Sequence, residues 1–313
     1  MYLYRVFGGV LRSPVEFPEL PAATGEPSWT IEIGDVASPV APDALIGDDT
    51  VYGEVRVHCF RTAAGHALIY DDTGRFDIED DGALIRWYQP EDLTPQRLDA
   101  ARADVIGRVL ALALHQQGVL TLHASAIAIG SQGIALLAPK GHGKSTLAAA
   151  LVKQGGRLLS DDTLPVSQGA RLTLRPGVPQ LRLWRDAAMQ LVAERADEAT
   201  AGRKVVLDRL DPETVATEGV PFVAAYIVVP AVPREDQPAV TRLPLAQIQA
   251  TLGLIEHTKL GPLLGGEDAR RVFEQAATIA QEVPLYLLKV ARDLNRIEEV
   301  ARTIAGWHGS DVV

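Results

Sequence analysis

Sulfur and aromatic rings are scarce in this chain. Its 313 residues hold one cysteine, Cys59, two methionines and only 5% Phe, Trp and Tyr. A single cysteine excludes an internal disulfide and the disulfide-stapled secreted scaffolds, so a reducing, cytoplasmic setting is expected. Cys59 lies in an apolar stretch and reads as a small buried hydrophobe, not a nucleophile. No apolar run approaches the ~20 residues of a bilayer-spanning helix. The opening Met1–Phe7 stretch is apolar but short, without the charged lead or cleavage site of an export signal. Basic charge is also short: 30 Lys and Arg face 40 Asp and Glu, a net charge of -10. That balance gives no global reason to bind nucleic acid or an anionic membrane, and neither is expected as a partner. There is no long block of one charge sign, no internal repeat and no low-complexity tract.

What is present suits a globular protein of one large or two modest domains. Residues 1–95 form a β-rich N-terminal domain by expectation. Short runs at 2–7, 29–33, 51–60, 67–70, 75–78 and 83–88 carry β-branched or aromatic residues, with Gly, Pro and Asp clusters between them. Residues 37–49 read as a loop, and His58 and His66 as surface strand or turn residues. No chemical motif stands out there. Thr94-Pro95 opens a helix that extends to a stop at Gly118. Residues 96–313 are expected to be a nucleotide-binding α/β domain. After the motifs below, strands are expected at 164–166, 171–174, 181–184, 204–207, 224–229 and 285–290. Helices are expected at 186–201, 245–254, 267–282 and 293–307.

The chemistry-bearing stretch is Ala138–Thr146, A-P-K-G-H-G-K-S-T. An apolar strand, Gly133–Leu137, precedes it, and an alanine-rich helix, Thr146–Val152, follows. Strand, glycine-containing loop and helix opening on Gly-Lys-Ser is the pattern of a P-loop. Phosphate oxygens need many donors close together, and loop amides beside a helix N-terminus supply them. The phosphate-binding stretch comprises Pro139, Lys140, Gly141, His142, Gly143, Lys144, Ser145 and Thr146, with His142 as a solvent-facing spacer. Lys144 would reach the outer phosphates, and Ser145 would place its hydroxyl on Mg²⁺. Ala138 stands where the usual pattern has its first glycine. Upstream lies His123, in L-H-A-S-A. Downstream, Asp161-Asp162 ends a further strand, L-L-S-D-D, where α/β folds put their chemistry. Phosphoryl transfer to a hydroxyl needs one carboxylate near the metal and another to take the proton. The residues alone leave open which Asp does which. Arg182, Arg203 and Lys204 are further candidates to meet phosphate or an acidic substrate, and Trp184 is expected in the core or at a domain contact.

The order His123, Gly-x-Gly-Lys-Ser and Asp161-Asp162 resembles the catalytic domain of the HPr kinase/phosphorylase family, over roughly residues 119–166. The L-R-L-W-R stretch at 181–185 and V-P-L-Y-L-L near the end resemble HPr-kinase-like proteins of unassigned substrate. Some relatives of that kind phosphorylate a serine of ribosomal (lasso) peptide precursors. The resemblance implies an α/β P-loop kinase domain of the HPr-kinase/PEP-carboxykinase-like type, behind the β-rich N-terminal domain. It implies ATP and Mg²⁺, a peptide or protein serine as acceptor, and a homo-oligomer, since HPr kinases form rings. It also implies catalytic roles for Asp161 as base, His123 as its orienting partner and Lys144, with Ser145 and Asp162 on the metal. The family's loop carries an acidic residue after Gly-Lys-Ser, where this chain has Thr146. A metabolite kinase and a nucleotide-sensing module without turnover are the alternatives.

Overall fold

In a computed structural model, described here for residues 1–51, 54–191, 205–207, 210–234 and 236–309, the chain is a mixed α/β protein. It divides into two compact units, Met1–Thr121 with Thr258–Gln275, and Leu122–His257 with Ala276–Val313. The division expected from sequence fell at residue 95. The helical segment after that point, which the sequence leaves open to either side, lies in the first unit, as does a later stretch of chain that returns to it.

The first unit is built on eight strands. They are β1 (Tyr2–Val6), β2 (Gly9–Ser13), β3 (Trp29–Ile33), β4 (Leu45–Val51), β5 (Val55–Thr62), β6 (Gly65–Tyr70), β7 (Gly74–Glu79) and β8 (Leu84–Tyr88). The sheet order is β1-β2-β3-β8-β7-β6-β5-β4. Strand β4 takes the last five residues of the expected 37–49 loop, pairing antiparallel with β5. Its Gly47 lies against the backbone of Pro262 and Leu263, where a Cβ would come within 2.4 Å of the Pro262 carbonyl. A glycine is what lets the returning chain approach so closely. The expected helix is present from Pro95 to Gln116, as α1 (Pro95–Asp104) and α2 (Leu110–Gln116) continuous through a π-helical turn at Val105–Val109. Thr94 caps the first by accepting the Arg97 N–H, and Pro95 fills a position where no amide hydrogen is needed. Leu110 to His115 are buried on every side of α2, as an apolar-all-round helix must be.

One polar knot lies inside this unit. Asp268 accepts from Arg61 Nη2 at 2.6 Å, His66 Nε2 at 3.2 Å and His115 Nε2 at 3.1 Å. The Gln116 amide meets His66 Nδ1 at 2.5 Å, so that nitrogen accepts while Nε2 donates to the carboxylate. His66 is wholly buried, which corrects its expected place on the surface. Burial pushes its imidazole below its ordinary pKa, and Arg61 adds to that effect. Burial works the other way on Asp268, but the His115 hydrogen bond and neighbouring positive charge outweigh it and hold the carboxyl well below its usual range.

Strand β9 (Leu120–Leu122) leads the chain into the second unit. There follow β10 (Ala124–Ile129), β11 (Gln132–Leu137), α3 (Lys144–Lys153), β12 (Arg157–Asp161), β13 (Leu164–Ser167), β14 (Thr173–Leu174) and β15 (Leu181–Leu183). Then come α4 (Arg185–Leu191), β16 (Val205–Leu207), β17 (Val220–Ala231), β18 (Val240–Pro244), α5 (Gln247–Glu256), α6 (Gly266–Glu282), β19 (Leu285–Ala291) and α7 (Ile297–His308). Helix α6 begins in the first unit and ends in the second. The main sheet runs β12-β10-β11-β17-β14-β13, with β19 pairing to β17 and β18 to β19. Pairing of β11, β17 and β19 is parallel, and β10 runs antiparallel to both its neighbours. Leu147 and Leu151 of α3 and Val300 and Ile304 of α7 share one buried cluster with Ile134, Leu136 and Leu288 of the sheet. The expected 186–201 helix is seen as α4, and its continuation lies outside the described residues. So do Arg203, Lys204 and the last four residues of the chain.

Candidate functional site

The sheet order assembles the site. Strand β10 lies between β11 and β12 and runs against both, so its start sits beside their ends. Ala124 pairs with Leu137, which leads into the loop, and Ser125 pairs with Asp161. His123, the loop and the Asp pair therefore meet at one end of the sheet, although 38 positions separate the first from the last in the numbering.

The loop's shape follows from two glycines. Gly141 and Gly143 have φ of 89° and 85°, the left-handed region, with open space where a Cβ would project. Conformation, not crowding, is what requires glycine at both. Ala138 is wholly buried and is not among the positive-φ residues, so alanine fits where the usual motif has glycine. Pro139 to Gly143 are exposed, His142 included. Helix α3 then opens on Lys144. Its alanine-rich run favours helix, and Gly155 at φ 89° closes the far end.

Lys144 folds back instead of extending into solvent and is 8% exposed. Its ammonium lies 3.1 Å from His123 Nε2 and 3.4 Å from the Ala138 carbonyl. His123 Nδ1 lies 3.1 Å from Asp162 Oδ1 and 3.2 Å from the Asp162 carbonyl. Two acceptors at Nδ1 require the hydrogen there, which leaves the Nε2 lone pair to the ammonium. The ring thus links Lys144 to Asp162. His123 N–H is anchored on the His257 carbonyl at 2.7 Å.

The neighbouring carboxylate meets different partners. Asp161 Oδ1 accepts from the Ser145 hydroxyl at 3.1 Å and from the Ser125 hydroxyl at 2.5 Å, and the Arg182 N–H lies 3.4 Å from Oδ2. The chain turns sharply between the two carboxylates. Asp162 has φ 87°, unfavourable for a residue with a Cβ, while its N–H donates to the Ala124 carbonyl at 3.0 Å. Asp162 and His123 side chains are 41% and 32% exposed, open enough for a reactant to reach them.

Ser145 and Asp161 form an oxygen-only donor pair, which suits a hard cation such as Mg²⁺. Among the described residues no group of three or more His, Cys, Asp or Glu gathers to hold a metal. Mg²⁺ does not need one, because it keeps waters and takes its remaining oxygens from substrate phosphates.

Two site residues escaped the sequence reading. Ser125, inside Ala-Ser-Ala, resembles strand filler. His257 ends α5 far along the chain, and its Nδ1 donates to the Gly253 carbonyl at 2.9 Å. Burial lowers its pKa against the Gly253 hydrogen bond and Glu256, with His123 and Lys144 acting in the same direction as burial. Trp184 is 47% exposed, so it does not take the core position, one of the two expected for it. No helix among the described residues is long and apolar enough to cross a membrane.

No family model matches the chain, and no curated protein matches it. Among solved structures, it is similar to the Hpr(Ser) kinase/phosphatase from Coxiella burnetii, at 15% identity and a TM-score of 0.32, over 60% of this chain and 95% of that one. At that TM-score the likeness carries no argument, and what the chain does is read from its own residues.

Proposed function

We propose that the second unit is a phosphotransferase, moving the γ-phosphoryl group of ATP, bound with Mg²⁺, to a serine hydroxyl of a peptide or protein. The observation that carries this reading is the division of labour between adjacent carboxylates: Asp161 meets Ser145, while Asp162 meets His123. Loop amides and Lys144 hold the phosphates, and Lys144 exchanges its contact with His123 for phosphate oxygen as the nucleotide binds. Mg²⁺, when bound, supplies charge neutralisation at the phosphates, with Ser145 and Asp161 on its side of the site. Asp162 accepts the acceptor's hydroxyl proton. The new O–P bond forms as the bond from the γ-phosphorus to the bridging oxygen breaks, and ADP leaves. His123 keeps Asp162 in place through Nδ1–H.

These roles reverse the assignment implied by the family resemblance, which made Asp161 the base and put Asp162 on the metal. Geometry favours the reversal, because the hydroxyl of the Gly-Lys-Ser motif contacts Asp161. Ala138 gives no support to a module without turnover, since its backbone conformation is ordinary. A serine acceptor, and a lasso-peptide precursor in particular, rests on the resemblance alone.

Transfer from labelled ATP with Mg²⁺ tests the reading, with serine-containing peptides and free serine offered separately. Transfer should vanish with Lys144→Ala. It should fall about 10²–10⁴-fold with Asp162→Asn while nucleotide binding persists. Wild-type rates in Asp162→Asn would remove Asp162 from the base role. Labelling of free serine alone would make the protein a metabolite kinase.

A further inference from the structure

We propose that Ser125 is a positioning residue for Asp161, one that fixes the carboxylate so that Ser145 presents its lone pairs outward. This deepens the function proposed above and rests on it. Ser125 is wholly buried on β10, between two alanines that are also buried. A hydroxyl placed there is unfavourable unless it is hydrogen-bonded. Its partner is a carboxylate of the site: Ser125 Oγ donates to Asp161 Oδ1 at 2.5 Å, across the β10–β12 register in which the two residues are directly paired.

The same oxygen accepts the Ser145 hydroxyl at 3.1 Å. Two hydroxyls on one oxygen fix the carboxylate against rotation, since turning it would break both bonds. Hydrogen bonds to a charged acceptor are the strong ones. They also settle the direction of the Ser145 hydroxyl. Its hydrogen points at Asp161, so its lone pairs are free for a cation. Without Ser125, the carboxylate keeps one hydroxyl partner and gains freedom to swing, taking the Ser145 hydroxyl with it. Ser125 touches neither nucleotide nor acceptor in this scheme and acts only through Asp161.

The test is nucleotide binding by the full chain, followed with a fluorescent ATP analogue, with and without Mg²⁺. Ser125→Ala removes one oxygen from a strand site already flanked by alanine. The expected result is unchanged binding without Mg²⁺, with about tenfold more Mg²⁺ needed for the metal-dependent gain in affinity. Ser125→Thr, which keeps the hydroxyl, should restore the wild-type Mg²⁺ midpoint. A purely structural serine would lower the melting temperature and leave that midpoint in place. A wild-type Mg²⁺ midpoint in Ser125→Ala overturns this inference and leaves the proposed function standing. A wild-type protein that binds no Mg²⁺–nucleotide overturns both.

Discussion

Each unit sets aspartate beside histidine, and the two arrangements serve opposite ends. In the first unit, Asp268 is 2% exposed and takes hydrogen bonds from two imidazoles and a guanidinium. The carboxylate and both imidazoles are closed to a reactant, and of the three donors only Arg61 reaches solvent. In the second unit, Asp162 and His123 are about a third or more exposed, the aspartate sits at an unfavourable φ, and the ring's other nitrogen faces a lysine. Saturated and buried, an Asp–His contact joins chain segments distant in sequence. Half-open, the pair of Asp162 and His123 suits the proton transfer proposed above. The residue types are the same, and burial separates the two contacts.

Three substitutions would sharpen that contrast. The largest stability effect is expected from Asp268→Asn, which should cost the first unit about 3 kcal/mol at pH 7 in denaturant unfolding. Because the folded-state pKa of Asp268 is depressed, this stabilisation is present above the unfolded carboxyl pKa and is lost as pH falls through the folded value. The difference between variant and wild type should therefore shrink in acid. Phosphoryl transfer, normalised to folded protein, should not change.

Asp104 gives the next effect, with the opposite sign. Burial, with Asp72 adding to it, raises this carboxyl to about 7, against the Thr73 hydrogen bond and Arg108. A raised carboxyl pKa means the folded state holds the proton more tightly than the unfolded one. Stability is then lost as pH rises from the unfolded value to about 7. Asp104→Asn, which keeps an acceptor for Thr73, should be stabilising, by about 2 kcal/mol more at pH 8 than at pH 5. Thermal unfolding at the two pH values reads this, and an equal effect at both would remove Asp104 as the source.

The smallest effect is expected at Asp162. Glycine there relieves the left-handed backbone, so Asp162→Gly should raise the stability of the second unit by up to about 1 kcal/mol while abolishing transfer. A variant both more stable and inactive would mark Asp162 as kept for chemistry. A loss of stability would mean that its contact with His123 outweighs the strain.

Local signals in the sequence carried the loop, its flanking strand and helix, His123 and the Asp pair, because Gly-Lys-Ser and strand-end aspartates are short-range patterns. The Asp268 knot was illegible for the opposite reason. Its members stand at 61, 66, 115, 116 and 268, and no periodicity links them. His66 looked like a surface residue because nothing near it in sequence could bury it. The same distance hid the return of Thr258–Gln275 to the first unit, which moved the boundary away from residue 95. Ser125 has no legible role within L-H-A-S-A, since only the β10–β12 register shows what its hydroxyl meets. The different partners of Asp161 and Asp162 follow from the turn at Asp162, which depends on a φ that composition does not encode.

Cys59 lies on β5 of the first unit, wholly buried, with its thiol pushed up to about 12 by burial and by Asp268. In the native fold it is therefore neither reachable nor ionised, and an alkylating reagent must wait for that unit to open. As the chain's one cysteine, it is a built-in clock. The labelling rate measures the opening of one unit alone, in unmodified protein.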